Sequence, residues 1–485
     1  MKIYNKEKID LFINSNYNLF LLILSFIAFT IWFFLIGHKL LNQSFIWDDL
    51  HLVRSYSRSE MIDVWFGNWD PDNIETPSYR PVAIFFYSSV SALFGDSFLG
   101  IRFFTFLLMI LLIFSINIFL TKIGLKKNEI IIFTILITLT KIYTTLISFI
   151  TLSALIFCYI CAFISITLFL KWLKEKKKKY YLMSLFLAFI SIFTREELYF
   201  LPGILFLISI NKFNFTIKEL KKIMLPILSF LILVLLHMYL RSKLVPEAEN
   251  FGLSKNGITF GDELLNYKKM IFAFLLSWLP MGIDIKSILN AGPFSLNNIS
   301  FFTLLIWILS LIFLVSIILH KNLKYLLIER KVLIFLLISI LTCLPSLTYI
   351  RSFGIFISSV FSLTIIAILL NNFAEIIKKK KHKRNLQKTP MMLIIFFVVS
   401  SAAIGGGLRS WEQIKAMDHF SAFIVHLDAS IVYNSELKIT IPPERLERKI
   451  QHLESLSVYR KEENIYAYKN LSTKIKYPKY NLLDF

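Results

Sequence analysis

The chain has 485 residues, of which 56% are hydrophobic and 48 are Phe, and it carries a formal net charge of +21. That composition, with a mean hydropathy of +0.65, excludes an ordinary soluble domain and indicates a polytopic membrane protein. The basic excess sits in short links between apolar runs, which marks topology and excludes a nucleic-acid role.

The first apolar stretch, residues 18–41, is long enough to cross a bilayer, which takes about 20 residues. It is too long for a removable leader and lacks a small-residue cleavage site, so it is expected to stay as a helix. The chain then reads Ile46-Trp47-Asp48-Asp49-Leu50. Two adjacent carboxylates at a membrane surface are candidates for general-base chemistry, although acid pairs also serve to solvate loops. Further crossings are expected over 98–120, 129–146, 148–171, 180–194, 198–211, 223–240, 301–320, 332–349, 352–371 and 390–408. Lysine runs fall in alternate links: Lys122/Lys126/Lys127, Lys174 with Lys176–Lys179, Lys218/Lys221/Lys222, Lys321/Lys324/Arg330/Lys331, and Lys378–Lys381 with Lys383/Arg384. The positive-inside rule puts those links and the N-terminus in the cytoplasm and, after 11 crossings, the C-terminus outside. They also suit anionic lipid headgroups. Cys158, Cys161 and Cys343 lie in apolar runs and read as packing residues; Cys158-Tyr-Ile-Cys161 has redox spacing without a thioredoxin-like context.

Two outer segments are long enough to hold structure. Residues 42–97 contain the acid pair, Trp65, Trp69 and Tyr79-Arg80-Pro81. The apolar run after Pro81 is too short to span and reads as an interfacial helix with Pro at its first turn. Residues 241–300 hold an amphipathic piece around 264–281. The expected division is a transmembrane unit over 1–408 and a small extracytoplasmic α/β region over 409–485, where Ser435–Ile441 alternates like a strand.

Sorted by side, Asp48, Asp49, Arg80, Arg102, Arg195, Glu196, Glu197, Arg241 and Arg351 all fall at the outer face. Any one of them can mark the membrane boundary. Together, at a depth where ionisable groups cost several kcal/mol unless paired or hydrated, they indicate a wet cavity. Transfer of a sugar from a lipid phosphate would use such a place. The polyprenyl tail needs an apolar groove, the phosphate needs guanidinium partners, and the acceptor hydroxyl needs a carboxylate base. Stabilisation of charge on the leaving phosphate supplies much of the rest. Trp47, Trp65 and Trp69 suit either sugar stacking or the interfacial aromatic belt.

The order of these features resembles the GT-C superfamily of integral-membrane glycosyltransferases, and within it the protein O-mannosyltransferase-like and lipid-A aminoarabinose-transferase-like branch. Asp48-Asp49 matches the acidic pair of the family's first outer loop. Ser78-Tyr79-Arg80-Pro81-Val82 resembles its Tyr-Arg-Pro-Leu pattern. Phe94-Gly95 and Arg102 match the end of the interfacial helix and the Arg opening the next crossing. Thr194-Arg195-Glu196-Glu197 resembles a Ser/Thr-Lys-Glu turn with Arg for Lys, and Pro345 with Arg351 resembles a late outer turn. The resemblance covers about residues 15–370.

It implies a GT-C-like, all-α bundle and an inverting transferase. The donor would be a polyprenyl-phosphate-linked monosaccharide and the acceptor an extracytoplasmic glycan, lipid or protein. Asp48 or Asp49 would be the base, Asp48 preferred; Arg80, Arg351 and Arg102 would meet the donor phosphate. Arg195, Glu196, Glu197 and Tyr79 would shape the pocket. A divalent metal rests on that analogy alone, since no His/Asp/Glu cluster has ligand spacing. The abundance of Lys, Ile, Asn and Phe fits an AT-rich bacterial genome. The expected carrier is then undecaprenyl phosphate, and the expected location the inner (plasma) membrane with the site facing the periplasm or exterior. A flippase for lipid-linked saccharide, or a non-catalytic assembly subunit, is the alternative; transporters more often show paired repeats and broken mid-membrane helices.

Overall fold

The computed structural model describes residues 2–42, 49–71, 78–95, 97–212, 217–246, 330–343 and 355–381. Asp48, Arg351, the crossings expected at 301–320 and 390–408, the piece around 264–281 and the region 409–485 lie outside the described residues.

Helix α1 spans Lys2–Leu35 and is followed by a 3-10 turn, Gly37–Asn42. The expected crossing therefore stops earlier than residue 41. Gly37 is where it turns: the Trp32 ring occupies the place a Cβ on residue 37 would take. The helix also begins well before residue 18, because Lys and Glu are good helix formers. Two short helices follow, α2 (Asp49–Leu52) and α3 (Arg58–Asp63). In α3, Ser57 accepts from the Glu60 backbone N–H at 3.2 Å, and the Ser57 N–H donates to Glu60 Oε2 at 2.6 Å, a capping box.

The expected interfacial helix is α4 (Pro81–Phe94), with Pro81 at its first position and Gly95 closing it at φ +58°. Helix α5 (Phe98–Lys122) is long and apolar enough for a full crossing. The crossing expected at 129–146 is broken into α6 (Lys127–Thr138) and α7 (Lys141–Ser148), bent by 58°. Thr140 makes the break: its Oγ1 accepts the Tyr143 N–H at 3.1 Å and so starts a new helix. Helices α8 (Ser153–Glu175), α9 (Lys178–Thr194), α10 (Leu201–Lys212) and α11 (Ile217–Leu244) follow. Then come α12 (Arg330–Leu341) and α13 (Phe356–Lys381). Helix α13 runs past the expected residue 371 into the lysine run, since basic residues are favourable in the last turn of a helix.

Helices α5 and α8 form the centre, with 67% and 78% of their apolar windows buried, against 28% in α1 and α11. The last two therefore offer their Leu, Ile and Phe faces to lipid, where no polar face is required. Helix α8 packs along α9 and α5, and α13 along α12 and α6. Small polar residues join the close contacts. The Ser165 and Ser184 hydroxyls each donate to the other's carbonyl at 2.7 Å, and Asn117 bridges Ser25 at 3.1 Å and Thr134 at 3.0 Å. Buried donors without water must find such partners. Cys158 and Cys161 belong to this packing, one turn apart on α8 and both buried, with the Cys158 thiol on the Ser191 carbonyl at 3.3 Å.

The alternation of helices gives the bundle two unlike ends. At one end Lys126 Nζ reaches Glu375 at 2.8 Å, and Lys331 Nζ reaches the Gly124 carbonyl at 2.9 Å. The 175–178 link between α8 and α9 turns there too. The start of α5, the end of α7, the start of α8, the 195–199 turn and the end of α11 lie at the other. Lys122, Lys126, Lys127, Lys174, Lys176–Lys179 and Lys331 fall at the first end; Arg80, Arg102, Arg195, Glu196, Glu197 and Arg241 lie at the second.

Candidate functional site

At the second end, three segments distant in sequence are tied into one charged knot. Helix α9 ends at Thr194, Arg195 is extended (φ −155°, ψ 135°), and Glu196–Leu198 make a single 3-10 turn before α10. The turn lifts the Glu196 carboxylate toward the residue that precedes α4. There Arg80 Nε donates to Glu196 Oε2 at 2.7 Å, and Nη2 donates to Oε1, a bidentate pair. Ser78 Oγ adds a third bond to Oε1 at 3.3 Å. The guanidinium lies over the Trp69 ring, 4.8 Å from its centroid.

The Arg80 loop is braced from its own side. The Trp69 N–H donates to the Ser78 carbonyl and the Ser78 N–H to Asn68 Oδ1, both at 3.0 Å; the Tyr79 hydroxyl donates to the Trp65 carbonyl at 3.1 Å. Burial alone would drive the Glu196 carboxyl toward neutrality. The Arg80 guanidinium overcomes this, with Arg195 and Arg241 adding to it, and holds the carboxyl well below the usual carboxylate range. Burial likewise opposes the Arg80 charge, but Glu196 and Glu197 keep Arg80 above its ordinary value. The Tyr79 phenol is pushed up by burial.

The third segment is α11, through His237. Its ring is fully buried, with Nε2 3.0 Å from the Tyr79 carbonyl oxygen and Nδ1 2.5 Å from the Tyr199 hydroxyl. Phe193 packs edge-on against it at 4.8 Å, and the Tyr79 ring lies at 5.3 Å.

A second polar group lies where α7 gives way to α8. Arg102, one turn into α5 and 0% exposed, donates from Nη1 to the carbonyls of Ile147 at 2.6 Å and Ser148 at 3.0 Å. It thereby closes the C-terminal end of α7, where a cation meets the negative end of the helix dipole. Its Nε and Nη2 are buried and make no hydrogen bond among the described residues. Asp49, 1% exposed, accepts the Thr151 N–H at 2.8 Å, and its charge acts on Arg102. The Tyr87 hydroxyl holds the other side of the same residue, donating to the Thr151 carbonyl at 2.5 Å. Tyr87 is seven residues along α4 from Arg80, about 10 Å at 1.5 Å per residue. Helix α4 thus spans the two groups.

Of the residues expected from sequence, Tyr79, Arg80, Arg195, Glu196 and Glu197 come together, and Asp49 joins Arg102 one helix away. Asp48 and Arg351 lie outside the described residues. Glu197 keeps one carboxylate oxygen, Oε2, buried with no hydrogen-bond partner among the described residues. Ser78 stood in the quoted motif without a role, and Asn68, Tyr87, Thr151, Tyr199 and His237 were not anticipated. Only His237 carried a signal, an imidazole in the middle of the apolar run Leu235-Leu236-His237-Met238, where an ionisable side chain is a functional candidate by default. Among the described residues no three His, Cys, Asp or Glu side chains converge as metal ligands. Asp49 and Glu196 are engaged by Thr151 and Arg80.

No family model matches the chain, and no curated protein matches it in sequence. Among solved structures, the chain is similar to the Archaeoglobus fulgidus oligosaccharyltransferase tethered with an acceptor peptide containing the NVT sequon, at 14% identity and TM-score 0.47. That match covers 81% of this chain and 55% of the other, so the chain spans about half the length of that protein. It is also similar to ArnT from Cupriavidus metallidurans, at 11% identity and TM-score 0.46 in the apo state, covering 93% of this chain and 85% of that one. Against ArnT bound to undecaprenyl phosphate the figures are 12% identity, TM-score 0.46, and coverage of 94% and 88%.

Proposed function

We propose that the chain is a membrane glycosyltransferase that moves a monosaccharide from a polyprenyl-phosphate carrier to an acceptor at the lysine-poor end of the bundle, with inversion. One observation carries the reading. Arg80, Glu196, Glu197 and Arg195, with Asp49 and Arg102 one helix away, gather at one end of an apolar bundle from segments up to about 150 residues apart. Apolar helices do not bring charges together for packing, because each such group costs several kcal/mol unless paired or hydrated. By the positive-inside asymmetry the site faces away from the cytoplasm.

Roles follow from what each side chain still has to offer. Arg80 is held by Glu196 along its Nε–Nη2 edge, which leaves Nη1 without a hydrogen bond among the described residues and able to meet the donor phosphate, alongside Arg351. Arg102 is enclosed and turned to helix carbonyls; we assign it to holding the α7–α8 junction rather than to the phosphate. Asp49, buried on Thr151, anchors the outer loop, and Asp48 beside it in sequence is the preferred base. Proton removal from the acceptor hydroxyl by that carboxylate would form the new glycosidic bond as the carbon–phosphate-oxygen bond breaks on the opposite face. Guanidinium contacts would carry the charge of the released polyprenyl phosphate. Undecaprenyl phosphate is the proposed carrier.

The test is transfer by purified protein given a panel of polyprenyl-phosphate monosaccharides and an acceptor extract. Asp48→Asn is expected to lose release of free polyprenyl phosphate by 10²-fold or more while retaining donor binding, since a general base contributes about 10²–10⁴-fold. Asp49→Asn keeps the acceptor oxygen for Thr151 but loses the charge beside Arg102, and a smaller loss is expected. Donor binding without turnover in the wild type would instead favour the flippase or an assembly subunit.

A further inference from the structure

We infer that His237 is a positioning residue that acts as a fixed tautomer, clamping the Tyr79–Arg80 loop against α11. This inference builds on the transferase reading for its consequence but not for its geometry. A carbonyl oxygen only accepts, so at 3.0 Å from the Tyr79 oxygen Nε2 must carry the proton. In the neutral ring Nδ1 is then an acceptor, and the Tyr199 hydroxyl at 2.5 Å is its donor. The chain of donation runs Tyr199 O–H to His237, then His237 N–H to the Tyr79 carbonyl. Its last acceptor belongs to the residue immediately before Arg80. The same Tyr199 follows the turn that carries Glu196, so one imidazole fixes both halves of the Arg80–Glu196 pair relative to α11.

The placement distinguishes this role from plain packing. Phe193 and the Tyr79 ring would accommodate an apolar side chain of the same shape. What an apolar residue cannot supply is the donor to the loop carbonyl and the acceptor for Tyr199. The bond to the Tyr79 carbonyl is buried, where an unmet polar group is costly, and the half-buried Tyr199 hydroxyl, which Arg241 also meets, would lose its acceptor. Gln at 237 can keep a donor toward the carbonyl; Phe keeps only the bulk.

The experiment compares His237→Phe, His237→Gln and Tyr199→Phe with wild type as full-length protein in lipid nanodiscs. In ¹⁵N-histidine spectra, the resonances absent from His237→Gln are expected to show a protonated Nε2 and a bare Nδ1; the reverse assignment would overturn the inference. Hydrogen exchange of peptides covering 78–82 is expected to rise at least tenfold in His237→Phe, with that of α5 unchanged, and to return to within about threefold of wild type in His237→Gln. Tyr199→Phe should lie between the two. In transfer assays the same order is expected in the donor KM, with kcat within about threefold. Equal exchange in all four proteins, or a uniform rise across the bundle in both His237 variants, would reduce His237 to a packing residue. If the wild type transfers no sugar, the transferase reading fails while the tautomer and exchange results still decide the clamp.

Discussion

Glu196→Gln is the perturbation that bears most directly on the charged knot, because it removes one charge and nearly nothing else. Arg80 and Glu196 have side chains only 11% and 15% exposed, and two of the guanidinium's donors end on this one carboxylate. Replacing the acid leaves Arg80 as a mostly buried charge, compensated among the described residues chiefly through Glu197 and the Trp69 face. Breaking a buried pair from one side costs about 3–5 kcal/mol. The partial exposure and these residual contacts place the expected cost near the lower end, about 3 kcal/mol. Removing both charges with Arg80→Met and Glu196→Gln should recover most of it, because the desolvation penalty leaves with the pair. With Arg80→Met alone also costing about 3 kcal/mol and the double variant about 1, the coupling energy from the double-mutant cycle is about 5 kcal/mol. For a chain of this size, melting in nanodiscs should fall by about 5 °C for Glu196→Gln and by about 2 °C for the double variant. Two single substitutions that each cost under about 0.5 kcal/mol and add independently would refute the reasoning, since the pair would then behave as a surface salt bridge.

Acid should act on the same pair late. The Glu196 carboxyl is held below its unfolded value of about 4.3, so its contribution is fully present above that pH and is lost as pH falls through the folded value. Melting of wild type minus Glu196→Gln should stay constant from pH 8 to about 5 and shrink below about 4. Arg102→Leu should remove the cap on α7 and leave two buried carbonyls unmet, costing about 2–4 kcal/mol; limited proteolysis at 149–152 reports the loosened junction. Gly37→Ala should force the Trp32 ring off Thr144, whose hydroxyl accepts from its indole N–H at 3.1 Å. It should cost about 1–3 kcal/mol, read as a melting shift with the Trp32 emission moved to the red.

Where the sequence was legible, one-dimensional physics was enough. Stretches of apolar residues longer than a bilayer requires become α1, α5, α8 and α11 whatever surrounds them, because a helix is the shape in which every backbone group in lipid is satisfied internally. Pro81 sets the start of α4 for an equally local reason, and the lysine links sort to one end because each carries its own charge. Helix ends were less legible. The break at Thr140 and the run of α13 past residue 371 depend on a single cap and on where a helix meets water, neither of which periodicity encodes.

The chemistry of the site divides along the same line. Asp49, Tyr79, Arg80, Arg102, Arg195, Glu196 and Glu197 could be named from the sequence, since charges in so apolar a chain stand out and alternate crossings return them to one face. Their partners could not be named. That Arg80 closes on Glu196, that Arg102 turns inward to the Ile147 and Ser148 carbonyls, and that Asp49 ends on Thr151 follow from which helices pack beside which. His237 shows the limit most sharply. In the sequence it is one imidazole in an apolar run, 158 residues from the carbonyl it faces. Only the approach of α11 to the Tyr79 loop turns it into a donor with a fixed partner. Composition and spacing determine which groups must leave lipid and at which end; packing decides which of them then meet, because a hydrogen bond is made within about 3 Å and sequence separation carries no such distance.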